Sequence, residues 1–363
     1  VTVGGRRPLT VTELAPLARA ALGPDRRLVA VSRLRGGSKK GVYRLTFDDG
    51  GTAVAYVWSP DEDYWQQQKD KQKNKQKDKQ KNKKKNEQEG GGAGHFVESD
   101  PRDPFSHASG IELFTAAHDR LAGLGVRTPR LLLADRTGRH LPTDAAVVED
   151  VRDGTLEEAL ERDPGAVAGT LERLAGMLET MRGGTPAARG FGKVSVVDQG
   201  ASSYGTSCAA VVRDRALRDI AEAAGRDARV AQAREAFDER VQALASAVRP
   251  RDHHTLIHGE LGPDHVLVGA GGEPVLIDIE GLMYFDPEWE HAFLELRFGP
   301  HYDVLRAPGL DEDRLRLYRL AMNLSLVAGP LRLLDGDFPD RAFMREIVEH
   351  SLRRALTLLR NAS

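Results

Sequence analysis

The chain has 363 residues, of which 40% are hydrophobic and 29% charged, and its formal net charge is −2. That balance fits globular domains and argues against nucleic acid as a partner, since its binders usually carry a strongly basic domain. Cys208 is the single cysteine, so no disulfide framework can form within the chain. No run reaches the roughly 18 apolar residues of a membrane span, and no apolar leader opens the sequence, so no membrane association and a cytoplasmic location are expected.

Residues 11 to 22 carry Leu14, Leu17 and Leu22 among alanines and read as a helix ended by Gly23-Pro24. Leu28 to Leu34 alternates loosely as a first strand. A glycine-rich turn over 36 to 41 leads into a better strand, Val42 to Phe47. Asp48-Asp49-Gly50-Gly51 is a strong turn signal, and Thr52 to Trp58 returns beside it. Residues 66 to 89 hold ten lysines against four acids and no apolar side chain, which leaves the rest of the chain at −8. Such a run cannot offset chain entropy by burial, and 66–94 is expected to be a solvated insertion. Ile111, Phe114, Ala117, Leu121 and Leu124 then make a helical stripe ended by Gly125. Pro129 to Ala134 and Ala145 to Val151 read as two more strands. Thr155 with Glu158 three residues on is a capping-box pattern opening a helix. Beyond it the alternation gives way to helical stripes: Leu171 to Met181, two helices over Ala216 to Val248 broken near Gly225, then Leu310 to Leu334 and Phe343 to Leu359.

The order is strands first and helices after, which argues for an α+β class rather than a doubly wound sheet. Two parts are expected: 1–150, with the insertion at 66–94, and a larger helical 151–363. The chemistry gathers in the second. His254-Thr-Leu-Ile-His258-Gly-Glu260 is followed by Asp264-His265 and a short apolar strand, Val266 to Val268. After Gly269-Ala270-Gly271-Gly272 comes a second, Val275 to Ile277, running into Asp278-Ile279-Glu280-Gly281. A hairpin with carboxylates at its base can place them in one cleft. Such oxygens suit magnesium, which binds one or two carboxylates and takes further ligands from phosphate.

This stretch resembles the catalytic and metal-binding loops of the aminoglycoside phosphotransferase family, within the protein-kinase-like superfamily. That family carries His-Gly-Asp, an Asn five residues after the Asp, and an Ile-Asp-Trp-like triplet after a hairpin. Here the matching residues are His258-Gly259-Glu260, His265 and Ile277-Asp278-Ile279. The resemblance implies a bilobal kinase-like fold with a small antiparallel-sheet lobe and a larger mainly helical lobe. It implies ATP or GTP as co-substrate, Mg2+, and a hydroxylated metabolite, sugar or antibiotic as acceptor. On it, Glu260 takes the place of the catalytic base and His258 supports the loop. Asp278, with His265 and Glu280, becomes a metal ligand. Gly36, Gly37, Ser38 and Lys39 resemble the turn that covers the nucleotide. Glu149 and Val151 fall on the connector whose backbone reads the base. Glu112 matches a glutamate that pairs with a lysine on the third strand. Asp286-Pro-Glu-Trp-Glu290 resembles the acidic segment that anchors the helical lobe.

The sequence departs from that pattern at three places. Glu260 is one methylene longer than Asp, His265 replaces Asn, and Tyr56 stands where the lysine belongs. Arg35, Lys39 or Lys40 would have to supply the missing charge. Two other readings therefore stay open. One is an inactive nucleotide-binding protein of the same fold. The other is a metal-dependent hydrolase using His254, His258, Glu260, His265 and Asp278, although the HExxH arrangement is absent. Glu288 is a further candidate, as a recogniser of a cationic acceptor.

Overall fold

The computed structural model describes residues 7–34, 39–63, 100–106, 108–184, 190–336, 338 and 340–360. Gly36, Gly37, Ser38 and the segment 66–94 lie outside them. The chain divides into two compact units. One is drawn from Val1–Asp100, Phe105–Thr115 and Pro129–Asp150, the other from Pro101–Pro104, Ala116–Thr128 and Val151–Ser363.

Among the described residues, the first unit is built on one antiparallel sheet covered by a helix. Its strands are β1 (Leu28–Arg33), β2 (Gly41–Phe47), β3 (Thr52–Trp58), β4 (Leu131–Asp135) and β5 (Asp144–Glu149), in the order β1-β2-β3-β5-β4. The hairpin forms as expected: β2 and β3 pair with Thr46 opposite Thr52, and Gly50 turns the corner at φ 77°. Tyr43, Leu45 and Phe47 alternate onto one face with Ala53, Ala55 and Val57. Helix α1 (Val11–Leu22) covers that face with Leu14 and Leu17, both fully buried. Burying side chains of this size contributes about 1.5–3 kcal/mol each. Thr10 and Glu13 close the helix start in a capping box. The central strand β3 is buried on its other face too, where Val54, Tyr56 and Trp58 point.

The second unit is mainly helical. Helix α2 (Ile111–Gly123) contributes residues to both units. Then come α3 (Leu156–Arg162), α4 (Ala168–Gly183), α5 (Val194–Val197), α6 (Cys208–Ala224), α7 (Ala228–Ala247), α8 (Pro287–Phe298), α9 (Tyr302–Leu305), α10 (Glu312–Leu334) and α11 (Arg341–Arg360). The capping box at Thr155 and Glu158 opens α3 as expected. α6, α7, α10 and α11 share a core of Ala223, Val230, Val327, Ala328, Val348 and Leu352. Among the described residues no helix is long and apolar enough to cross a membrane. Five short strands are found in the unit among the described residues: β6 (Gly192–Lys193), β7 (Thr255–Ile257), β8 (Val266–Val268), β9 (Pro274–Leu276) and β10 (Met283–Phe285). They form a β6-β10-β7 sheet and a β8-β9 hairpin.

Candidate active site

β10 lies antiparallel to β7, with Met283 opposite Ile257. That pairing brings the residues leaving β7, His258 to Glu260, beside those entering β10, Asp278 to Gly281. Gly259 sits at φ 92°, and a Cβ there would come within 3.0 Å of Met283 Cε and 3.4 Å of the Gly281 carbonyl. The Met283 methyl is the end of a flexible side chain and 3.4 Å is an ordinary contact, so it is the positive φ that calls for glycine here. The β8-β9 hairpin is pinned from outside: Thr170 Oγ1 donates to the Gly272 carbonyl at 2.9 Å, and Arg173 Nη2 to the Gly271 and Gly272 carbonyls.

Two histidines brace the loop. His258 is 1% exposed, and its Nε2 lies 2.9 Å from the Ile277 carbonyl. The carbonyl can only accept, so Nε2 carries the proton. Burial, then the nearby His265, holds the imidazole neutral by lowering its pKa to about 4. His265 stacks on it with centroids 5.9 Å apart and sets Nδ1 2.7 Å from the Glu260 carbonyl. Its Nε2 is left 3.7 Å from both Asp264 Oδ2 and Asp278 Oδ2. Arg297 of α8 holds the other Asp264 oxygen at 2.7 Å. Glu260 itself is exposed.

Asp278 has φ 56° and ψ 42°, the one left-handed non-glycine residue among those described. Such a conformation costs on the order of 1–3 kcal/mol and persists where the surroundings enforce it, often at functional sites. Its carboxylate is 35% exposed. Glu280, two residues on, is only 4% exposed. From below, Glu290 of α8 accepts the Gly259 N–H at 2.9 Å. Burial raises this carboxyl to a pKa of about 7, against the pull of backbone N–H groups of Gly259, His258 and Leu261. The family resemblance implied that Glu290 belongs to an acidic anchor but did not give its partner, which lies 31 residues away.

Asp278 and Asp264 offer carboxylate oxygens and His265 an imidazole nitrogen within one small region. A half-buried, partly accessible carboxylate on an enforced backbone fits a hard cation that takes its remaining ligands from phosphate. A second group, Cys208, His254 and Asp286, also gathers metal-type donors. It does not fit a metal. Arg314 and the Tyr318 hydroxyl already bond Asp286 Oδ2, at 3.0 and 2.5 Å, and Arg251 approaches Oδ1 at 3.5 Å. Burial also pushes the Cys208 thiol well above its ordinary range, so it keeps its proton. The hydrolase reading fares no better: Thr255–Ile257 is a strand, so His254 and His258 lack the one-turn spacing of a helical zinc pair. Glu288 is corrected as an acceptor recogniser. It is fully buried, and both its oxygens take Arg251 guanidinium bonds at 2.7 and 2.8 Å.

In the first unit, Lys39 holds its carbonyl to Ser109 Oγ at 3.0 Å. Tyr56 is packed edge-on against Trp58 and Phe114. Glu112 is on the exposed side of α2. Glu149 accepts the Arg130 N–H at 3.1 Å and donates its own N–H to the Arg130 carbonyl at 2.9 Å. Asp150 pairs with Arg44 at 2.7 and 3.0 Å. Val151, the next residue, is half-buried and opens the second unit.

A fold of an antiparallel-sheet unit and a helical unit, with this loop and hairpin, is that of kinase-like phosphotransferases. The model of the phosphotransferase enzyme family matches residues 83–321, more than half of the chain, and the chain belongs to that family. Among solved structures, spectinomycin phosphotransferase APH(9)-Ia in complex with ADP and spectinomycin is 12% identical, with TM-score 0.60 over 97% of this chain and 99% of that one. A thermostable mutant of aminoglycoside phosphotransferase APH(4)-Ia with AMP-PNP and hygromycin B is 18% identical, with TM-score 0.59 over 94% and 98%. Choline kinase LicA from Streptococcus pneumoniae is 12% identical, with TM-score 0.54 over 92% and 94%. No curated protein sequence matches the chain.

Proposed function

We propose that the protein transfers the terminal phosphoryl group of ATP or GTP to a hydroxyl of a small metabolite, sugar or antibiotic, in the cytoplasm. Residues 1–150 are assigned to the nucleotide, and 151–363 to the catalytic, metal and acceptor groups. The observation that carries this reading is Asp278, held left-handed at the foot of the hairpin and turned toward His265. The nucleotide and acceptor classes are supported by the family and by similar proteins solved with ADP or AMP-PNP and with antibiotics.

In the proposed reaction the acceptor oxygen forms a bond to the terminal phosphorus, and the bond from that phosphorus to the bridging oxygen breaks, releasing the nucleoside diphosphate. The acceptor proton passes to the Glu260 carboxylate. His265 fixes the Glu260 backbone, and His258 and Glu290 fix the turn behind it. Asp278, with His265 beside it, would hold Mg2+, which supplies positive charge to the phosphate oxygens. Glu280, whose side chain is buried, is assigned to support of this segment. Positioning is most of what such an enzyme contributes, so a rigid loop matters as much as the carboxylate.

Tyr56 favours a second reading, because an inactive nucleotide binder would tolerate the loss of the third-strand lysine. Two substitutions separate the readings. Glu260→Gln should lower turnover by roughly 100- to 10,000-fold with little change in nucleotide affinity. Asp278→Ala should abolish Mg2+-dependent transfer and leave the far-ultraviolet circular dichroism unchanged. Nucleotide consumption by the wild type over a panel of hydroxylated metabolites and antibiotics is the reference. Tight nucleotide binding without consumption on any acceptor would establish the inactive reading.

A further inference from the structure

The Gly259 turn is held from below by one oxygen of Glu290, Oε2, which accepts the Gly259 N–H at 2.9 Å. The other oxygen, Oε1, is buried and has no hydrogen-bonding partner among the described residues. Glu290 also lines a small pocket between α4, β7 and α8, together with Leu178, Arg182, Ile257, His291 and Leu294. On the α4 side stands Arg182, whose Nε is likewise buried and without a partner among the described residues. Buried polar atoms are nearly always paired, yet here a donor and an acceptor are left unpaired on two residues of one pocket.

Arg182 carries the permanent positive charge of this pocket. Its field reaches α8, because after burial the Arg182 charge is the largest influence that lowers His291 to about 4. Burial raises Glu290 to about 7, so this carboxyl changes charge near neutral pH. A buried carboxylate that ionises needs a counter-charge close by. The other groups around it are committed elsewhere or turned to solvent. In the turn, His258 gives its Nε2 proton to the Ile277 carbonyl, and Glu260 is exposed. On α8, Glu288 is bound by Arg251, and His291 lies 3.3 Å from the Tyr302 hydroxyl of α9. Arg306, between α9 and α10, is paired with Glu312. On α10, Arg314 and Arg319 are paired with Asp286 and Glu295. Arg182 is the cation that this pocket leaves to Glu290.

We propose that Glu290 and Arg182 form a pH-sensitive latch beneath the Gly259 turn: when the carboxyl releases its proton to solvent, the Arg182 Nε–H closes across the pocket onto Oε1. The charged Oε2 then grips the Gly259 N–H more tightly, since a hydrogen bond to an ionised acceptor is about twice as strong as a neutral one. Arg182 is a positioning residue, acting on Glu260 through Glu290 and Gly259. The latch stands on the pocket alone, and only its effect on turnover rests on the phosphotransferase reading.

The test follows the Gly259 amide through a pH titration, by heteronuclear magnetic resonance of glycine-labelled protein, in wild type, Arg182→Met, Arg182→Lys and Glu290→Gln. The wild-type amide should titrate near the value at which Glu290 ionises, about 7. In Arg182→Met the midpoint should move up by about one pH unit, the low end of what a nearby opposite charge gives. Arg182→Lys should stay close to wild type, and Glu290→Gln should lose the titration. Turnover should follow the same curve, so that Arg182→Met is about fivefold slower than wild type at about pH 7 and equal to it at about pH 9. A merely structural loss would slow the variant alike at both. A folded Arg182→Met whose Gly259 amide titrates as in the wild type overturns the proposal, and so does a Glu290→Gln that keeps the titration. If Arg182→Met does not fold, Arg182→Gln, which also lacks the charge, is judged on the same criterion. A titration that moves as expected in a protein with no turnover on any acceptor upholds the latch and counts against the phosphotransferase reading alone.

Discussion

His258 and Glu290 both press on the Gly259 turn, and burial moves their protons in opposite senses. His258 falls from 6.5 to about 4, and Glu290 rises from 4.5 to about 7. A depressed histidine contributes stability that is present above about 6.5 and lost as pH falls through about 4. A raised carboxyl contributes stability that is present below about 4.5 and lost as pH rises through about 7. His291, also lowered to about 4 by burial, adds to the histidine side. The contributions oppose each other across mildly acidic pH, so the wild type hides them. Glu290→Gln should expose them, because the amide keeps an acceptor for the Gly259 N–H but cannot ionise. Its stability relative to wild type should rise by about 3 kcal/mol between pH 4.5 and 7.5. Urea midpoints across that range are the measurement, and a pH-independent difference would count against a buried, proton-holding Glu290. Glu260, His265 and Asp278 were legible as candidates because their stretch resembles the catalytic and metal-binding loops of the family. The link from Glu290 to Gly259, and the meeting of Arg182 and Glu290 at one pocket, were not. They join residues distant in sequence, and no local periodicity records them.

At the scale of elements, legibility followed length and sidedness. In the β2-β3 hairpin β2 alternates over seven residues, β3 is apolar along almost its whole length, and the turn falls on Asp49-Gly50, so the pairing is written in the pattern. α1 and α2 show clean apolar stripes. β6, β7 and β10 have only two or three residues each, too few to show any period. α8 shows no stripe because Trp289, Phe293 and Leu294 are buried together with Glu288, Glu290 and His291. Yet these weakly marked elements position the candidate site, and Gly259 is where they are most exacting. Gly259→Ala places a methyl 3.0 Å from Met283 Cε at φ 92°. The cost should be on the order of 1–3 kcal/mol, and the flanking His258 and Glu260 should shift with it. A positioning loss should appear as a turnover drop of about 100-fold. Gly50→Ala is the matched control. Its φ of 77° gives comparable strain, but its methyl meets open space at the hairpin turn. It should destabilise by about 1 kcal/mol or somewhat more. Its turnover should not change. If the two variants lost activity equally, the close approach at Gly259 would not be what holds the site.

For the molecule as a whole, the order of a strand-rich first part and a helical remainder was legible, because periodicity changes along the chain. The junction of α8 and α10 in the helical unit was not, since it is built from buried polar residues distant in sequence. Glu288 is fully buried, accepts two bonds from Arg251, and also accepts the Asp311 N–H at 2.8 Å where α10 begins. Asp286 binds Arg314 and Tyr318 of the same helix, and Arg314 binds the capping Asp311 at 2.7 Å. This network fastens the start of α10 to the start of α8, the helix that supplies Glu290 to the Gly259 turn. A buried ion pair adds little net stability over well-packed apolar residues, but removing one member leaves its partner uncompensated. Glu288→Ala should therefore destabilise by about 3–5 kcal/mol, far more than loss of a surface pair at about 0–1 kcal/mol. Arg316→Ala supplies that comparison, because Arg316 pairs with Asp313 at 60% and 49% exposure. Salt should discriminate the two as well, since a buried pair is poorly screened. Urea denaturation at low and high ionic strength would show a large, salt-insensitive loss for Glu288→Ala and a small one for Arg316→Ala. Equal losses would mean that the polar centre is hydrated rather than sealed, and that α8 is held by its apolar residues alone.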